Sequence, residues 1–264
     1  MKSTTSLRQY FQCFNEYTSI QNLKYTKLIY IFLYSSIQWM NRKALSREAY
    51  RPTEIEHIAN IVTHGIWIIP SVMCTLELVN RSKDGDQLLS AVVYGATLVF
   101  LFCVSTSFHC VFYCNSYRIL KDVLHRCDRA MIYVFIAGSY FPWLTLEELP
   151  HGGWSCHMRW IVWILAILGI VYQQLFHEKY KRLETVFYLV MGIGPVLPIV
   201  SEHYFMGMKE LTTGGALYVL GIIFFKSDGI VPFAHAIWHL FVVMAAYFHY
   251  YAILNYLYPI AIAV

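Results

Sequence analysis

His235 and His239 stand one helical turn apart in the run Phe233–Leu240 (FAHAIWHL). A helix through this run puts both imidazoles on one face, as a pair of metal ligands requires. His109 and Asp128 also fall in or beside apolar stretches and complete a set of three imidazoles and a carboxylate. Three neutral imidazoles with a fourth position open to water suit a catalytic zinc ion better than a closed structural one. Such an ion lowers the pKa of bound water from about 15.7 to about 7. Asp128 then acts as general base on that water, or serves as a fourth ligand. Lying close to Arg126 and Arg129, it also fits a plain interfacial salt bridge. Ser105 precedes His109 by one turn. Its hydroxyl can meet a substrate carbonyl or the bound water, or simply bond back to its own helix. The catalytic candidates are therefore Asp128 and Ser105, and the metal candidates are His109, His235, His239 and Asp128.

A polar stripe precedes these residues. Glu56, Asn60 and His64 recur every four positions, so they share one helix face. Ligating histidines need partners of this kind to fix their orientation, and a polar seam between helices would need them equally. The remaining histidines (His57, His125, His151, His157, His177, His203 and His249) receive no role.

The elements that must position these groups are membrane helices. Apolar residues make up 58% of the chain and charged residues 14%, a balance foreign to a soluble domain. Seven apolar segments stand out, over residues 58–79, 88–113, 129–146, 159–176, 186–205, 211–225 and 231–257. The expected fold is all-α, a polytopic bundle of seven transmembrane helices spanning residues 51–264. Gly192, Gly194, Pro195 and Pro198 predict a kink in the fifth segment. Gly214, Gly215 and Gly221 predict close packing of the sixth. Residues 1–50 form an N-terminal segment. Its apolar stretch over residues 28–40 is about 20 Å long as a helix, which suits the interface better than a crossing.

Lysine and arginine set the orientation. Twelve (Arg42, Lys43, Arg47, Arg51, Arg118, Lys121, Arg126, Arg129, Lys179, Lys181, Arg182 and Lys226) fall on one side, against four (Arg81, Lys83, Arg159 and Lys209) on the other. The N-terminus is accordingly expected in the cytoplasm. With alternating helix directions, His109, Asp128, His235 and His239 then reach the same, cytoplasmic leaflet. The net charge of +4 comes with no basic–aromatic groove for nucleic acid. The seven cysteines read as small apolar residues rather than a disulfide framework.

These motifs resemble those of the progestin and adipoQ receptor family, which shares its pattern with bacterial hemolysin III proteins. The resemblance rests on Glu56-x-x-x-Asn60-x-x-x-His64, Ser105-x-x-x-His109, Asp128 at the start of the third segment and His235-x-x-x-His239. It runs from about residue 40 to residue 259. The segments HEKYK (177–181), CHMRW (156–160) and FFKSDGIVPFAHAIWHLF (224–241) point to one branch of that family. The resemblance implies seven helices, a cytoplasmic N-terminus, and zinc on His109, His235 and His239 with Asp128 on the bound water. It also implies likeness to alkaline ceramidases, and for this branch an endomembrane location in Golgi, late endosome or lysosome.

Two classes of function are compatible with these features. One is a zinc hydrolase of a ceramide-like lipid amide. The other is a signalling receptor or scaffold with structural zinc, whose basic loops meet cytoplasmic proteins or anionic lipid. Membrane lipids are expected partners of both. A pore is not favoured, since no charged ring or filter pattern is present.

Overall fold

The computed structural model describes residues 39–45, 48–114, 117–149, 153, 155–202 and 206–259. The chain divides into two units, residues 1–39 and 40–264, and the candidate residues all lie in the second. Most of the expected interfacial segment at 28–40 lies outside the described residues. Residues 40–50, expected in the N-terminal segment, belong to the helical unit.

The secondary-structure elements of the described residues are all helices, without strands. The helices are α1 (Glu54–Gly65), α2 (Ile68–Arg81), α3 (Gly85–Cys114), α4 (Arg118–Leu146), α5 (Ser155–Leu175), α6 (Lys181–Ile193), α7 (Val196–Glu202), α8 (Met208–Phe225) and α9 (Ala234–Ala252), the last running into a π turn over Ile253–Leu257. Five stretches are long and apolar enough to cross a membrane: Glu54–Arg81, Gly85–Cys114, Cys156–Leu175, Met208–Phe225 and Ala234–Leu257.

The burial pattern is that of a bilayer protein. Large apolar side chains such as Ile69, Met73, Phe100, Ile167 and Leu168 are exposed, while Glu56, Asn60, Ser105, His109 and His239 are buried. Water around such a surface would be costly, whereas lipid is not. The chain is an integral, multi-pass membrane protein.

Two breaks have local causes. The first apolar segment bends at Ile66–Trp67, between α1 and α2. Pro70 explains it: proline cannot donate to the Ile66 carbonyl four residues back, and its ring crowds that carbonyl. The fifth segment breaks at Gly194–Pro195, where the sequence predicts a kink. The third segment differs from expectation. Its helix begins at Arg118 rather than Arg129, so a charged, partly exposed stretch of about three turns precedes the apolar part. The glycines of α8 divide in use. A side-chain carbon on Gly221 would meet Trp238 and Phe241 of α9 at 2.8 Å, and one on Gly214 would meet His249 at 2.7 Å. Gly215 has no neighbour within 4 Å.

α1 packs against both α3 and α9, and α3 against α4. The candidate residues therefore sit on helices that meet around α1. Its start is firmly set. Thr53 caps α1 by accepting from the Glu56 amide at 3.3 Å, and Glu56 Oε2 accepts from the Thr53 amide at 2.9 Å. This is a reciprocal capping box.

Candidate metal centre

The bundle brings three histidines together. Ring nitrogens of His109, His235 and His239 all lie within 4.8 Å of one another. The ring centroids are 5.3 Å apart for His109–His235, 5.2 Å for His109–His239 and 4.8 Å for His235–His239. Each pair is steeply inclined, so the rings surround a point instead of stacking. His109 and His239 are buried and His235 half-buried. Neither ring nitrogen of His109 has a hydrogen-bond partner, and neither does Nδ1 of His235. A buried polar atom without a partner is costly. One nitrogen of the His109 ring, with one each from His235 and His239, lies close enough to the others to fit a divalent ion that takes imidazole.

The hydrogen bonds fix which nitrogen of His239 faces that point. Thr63 Oγ1 lies 3.0 Å from His239 Nδ1 and donates its only proton to the Ala59 carbonyl at 2.8 Å. The hydroxyl oxygen must then accept from His239 Nδ1–H. The proton is thereby held on Nδ1, and Nε2 is left with a bare lone pair. His235 Nδ1 lies 3.7 Å from Asp228 Oδ2, and the ring stacks on Tyr50 at 5.0 Å.

The stripe on α1 surrounds this group at three levels. His64 stacks on His239 with centroids 3.6 Å apart and planes 13° from parallel. Asn60 donates to the Tyr50 hydroxyl at 3.3 Å and so steadies the ring that covers His235. Glu56 Oε1 receives the amides of Asn41 at 3.3 Å and Phe233 at 3.4 Å. Phe233 is the N-cap of α9 and sits in the left-handed region, with φ 56°. A carboxylate far from the rings thus holds the strained residue two positions before His235.

Ser105 Oγ lies 2.9 Å from His64 Nδ1. Ser105 and Asp128 both line the cavity beside His235 and His239.

A cavity of about 620 Å³ opens from this group. Its wall includes His64, Ser105, Asp128, His235 and His239, then continues along α4 through Ile132, Ile136, Tyr140 and Leu144. From residue 128 to residue 144 a helix rises about 24 Å. The wall is mostly apolar, with the histidine group and Asp128 in one part of it.

Sequence reasoning passed over Thr63, Tyr50, Asn41 and a second histidine cluster. Thr63 is seven residues after Glu56 and thus on the same face, a signal the sequence does carry. Tyr50 and Asn41 lie in extended chain and leave no periodic trace.

A chain with these helices, this histidine triad and these motifs is a member of the Haemolysin-III related family, which it matches over residues 53–250. It is 49% identical over 222 residues to monocyte to macrophage differentiation factor of Homo sapiens, covering 84% of this chain and 92% of the relative. It is 33% identical over 212 residues to hemolysin-3 of Bacillus cereus, covering 78% and 94%. Similarity extends to the adiponectin receptor protein of Drosophila melanogaster, 26% identical over 226 residues, with 74% of this chain and 49% of that protein covered.

Proposed function

We propose that this protein is a zinc-dependent intramembrane hydrolase of lipid amides, ceramide-like in having a long acyl chain. The observation that carries the reading is the juxtaposition of three imidazoles within reach of one ion with Asp128 in the wall of a mostly apolar cavity. His109, His235 and His239 would hold the ion. When bound, zinc supplies a Lewis acid and a nucleophile available at neutral pH. Asp128, which lines the cavity with Ser105, would take a proton from the attacking water and return it to the leaving amine. The apolar wall along α4 would bind the acyl chain and exclude water from the reacting end.

The reading includes seven crossings. Arg118–Leu146 and the broken pair Lys181–Ile193 and Val196–Glu202 add two to the five long apolar stretches. The twelve-to-four charge bias puts the N-terminus and the histidine end in the cytoplasm. An impermeant thiol reagent applied from the cytoplasmic side should label Cys127 and spare Cys156, both exposed. The reverse pattern would overturn the orientation. An endomembrane site of action in Golgi, late endosome or lysosome belongs to the same proposal and rests on the family resemblance.

The test of the activity uses purified protein in lipid, with zinc content and fatty-acid release from a ceramide panel measured together. His235→Ala should lose the tightly bound zinc and the turnover. Asp128→Asn should keep zinc and lose turnover. Retention of the tightly bound zinc by His235→Ala would sink the site. Zinc without turnover in the unaltered protein would favour a signalling receptor or scaffold with structural zinc, whose basic cytoplasmic face meets proteins or anionic lipid.

A further inference from the structure

A second group of ligand-type side chains lies outside this centre. A ring nitrogen of His125, a ring nitrogen of His177 and a carboxylate oxygen of Glu178 all lie within 4.8 Å of one another. We propose that His125, His177 and Glu178 form a second, weaker zinc site, which ties the connection between α5 and α6 to α4.

The geometry carries the proposal. His125 Nδ1 and His177 Nε2 face each other at 3.2 Å. Two ligands about 2.0–2.1 Å from a tetrahedral zinc ion stand about 3.3 Å apart, so the rings already have the needed separation. Both rings are held in place. His125 stacks on Phe108 at 4.8 Å with planes 9° apart, and His177 is contacted by Gln173 Nε2 at 3.0 Å. Glu178 is buried and takes a left-handed conformation, φ 60°, which side chains other than glycine adopt rarely. Such strained residues gather at ligand clamps.

The protons and charges balance. Two neutral rings carry two protons, one of them between the facing nitrogens. With an ion in that place, both protons sit on the outer nitrogens: His125 Nε2, 3.6 Å from Glu178 Oε1, gives up the bond it accepts from Arg129 Nε at 3.4 Å, and His177 Nδ1 turns to the Gln173 oxygen, which gives up the bond it accepts from Gln174 at 2.8 Å. No net proton is released. Glu178 now pairs with Arg129 at 2.7 Å and Lys181 at 2.6 Å. If it turns toward an ion, Arg129 keeps Glu184 at 2.9 Å and Lys181 keeps the Glu48 carbonyl. Neither cation is stranded, but their presence weakens the site.

The test is a zinc titration of the full chain in lipid, read as ions per chain, with cobalt as a spectroscopic substitute. The unaltered protein should bind two ions in two steps. His177→Ala should keep the tight ion and lose the weak one; retention of the tight ion also shows that the variant is folded. His235→Ala should do the converse. With cobalt, His177→Cys should gain a thiolate-to-metal absorption in the near ultraviolet. A single ion in the unaltered protein that His177→Ala leaves in place, or no new absorption in His177→Cys, would overturn the second site. A single ion lost with His177→Ala but kept by His235→Ala would leave this site standing and remove the proposed hydrolytic centre.

Discussion

The two histidine clusters use the same residue types and differ in what surrounds them. At His109, His235 and His239, both nitrogens of His109 and Nδ1 of His235 have no hydrogen-bond partner, and the Asp228 carboxylate lies 3.7 Å from His235. At His125 and His177 the rings bond each other and Gln173, while Arg129 and Lys181 occupy the carboxylate beside them. Nearness of ligands alone does not separate the two. The difference lies in what an arriving ion must displace. At the first cluster it relieves unmet polar atoms. At the second it competes with hydrogen bonds and two cations.

The largest effect should come from His109→Ala, which removes the most deeply buried of the three ligands. Metal analysis of the purified variant should show loss of the tight ion with the weak one unchanged. Loss of both would mean the clusters are not independent. Next, Glu56→Ala removes the acceptor that the Asn41 and Phe233 amides share and opens the capping box. Each unmet buried group costs about 1–3 kcal/mol, so thermal unfolding in detergent should shift down clearly, and tight zinc binding should weaken as α9 loses its anchored start. Thr63→Val keeps the shape and removes the acceptor for His239 Nδ1–H. Loss of such an orienting bond costs roughly 10–100-fold in metal affinity, and Thr63→Ser should restore it. An unchanged affinity in Thr63→Val would refute the assignment of the His239 tautomer.

The smallest effect concerns pH. His177 titrates at about 4 in the folded protein, against 6.5 in an unfolded chain. Between these values the unfolded state binds more protons, so stability is present above about 6.5 and is lost as pH falls through about 4. With zinc removed by chelation, His177→Gln should flatten the fall in melting temperature across that window. A parallel curve would show that the ring carries no such linkage.

Much of the first cluster is legible in the sequence, because its signals are periodic. His235 and His239 are one turn apart, Ser105 and His109 likewise, and alternating helices bring their ends to one depth. The second cluster leaves no such mark. His125 and His177 are separated by 52 positions, and one of them lies in a connection where no period applies. Helix boundaries are readable where a proline acts through steric clash, as at Pro195. The same physics at Pro70 breaks a segment that its hydropathy alone presents as continuous. The early start of α4 is hidden for the opposite reason. Residues 118–128 are charged, so hydropathy stops there although the helix does not.

Glu56 has a consequence for how the chain can be sensed from outside the membrane. One buried carboxylate binds the amide of Asn41, the first turn of α1 and the cap of α9, while the Asn41 side chain accepts from the Gly229 amide at 3.1 Å. Whatever tightens the start of α9 also tightens the chain around Asn41, and by reciprocity the reverse holds. The segment just before the first helix can therefore serve as a lever. A protein that grips or cuts it would change zinc affinity some two hundred residues away in sequence, and zinc would change how readily that segment is gripped or cut.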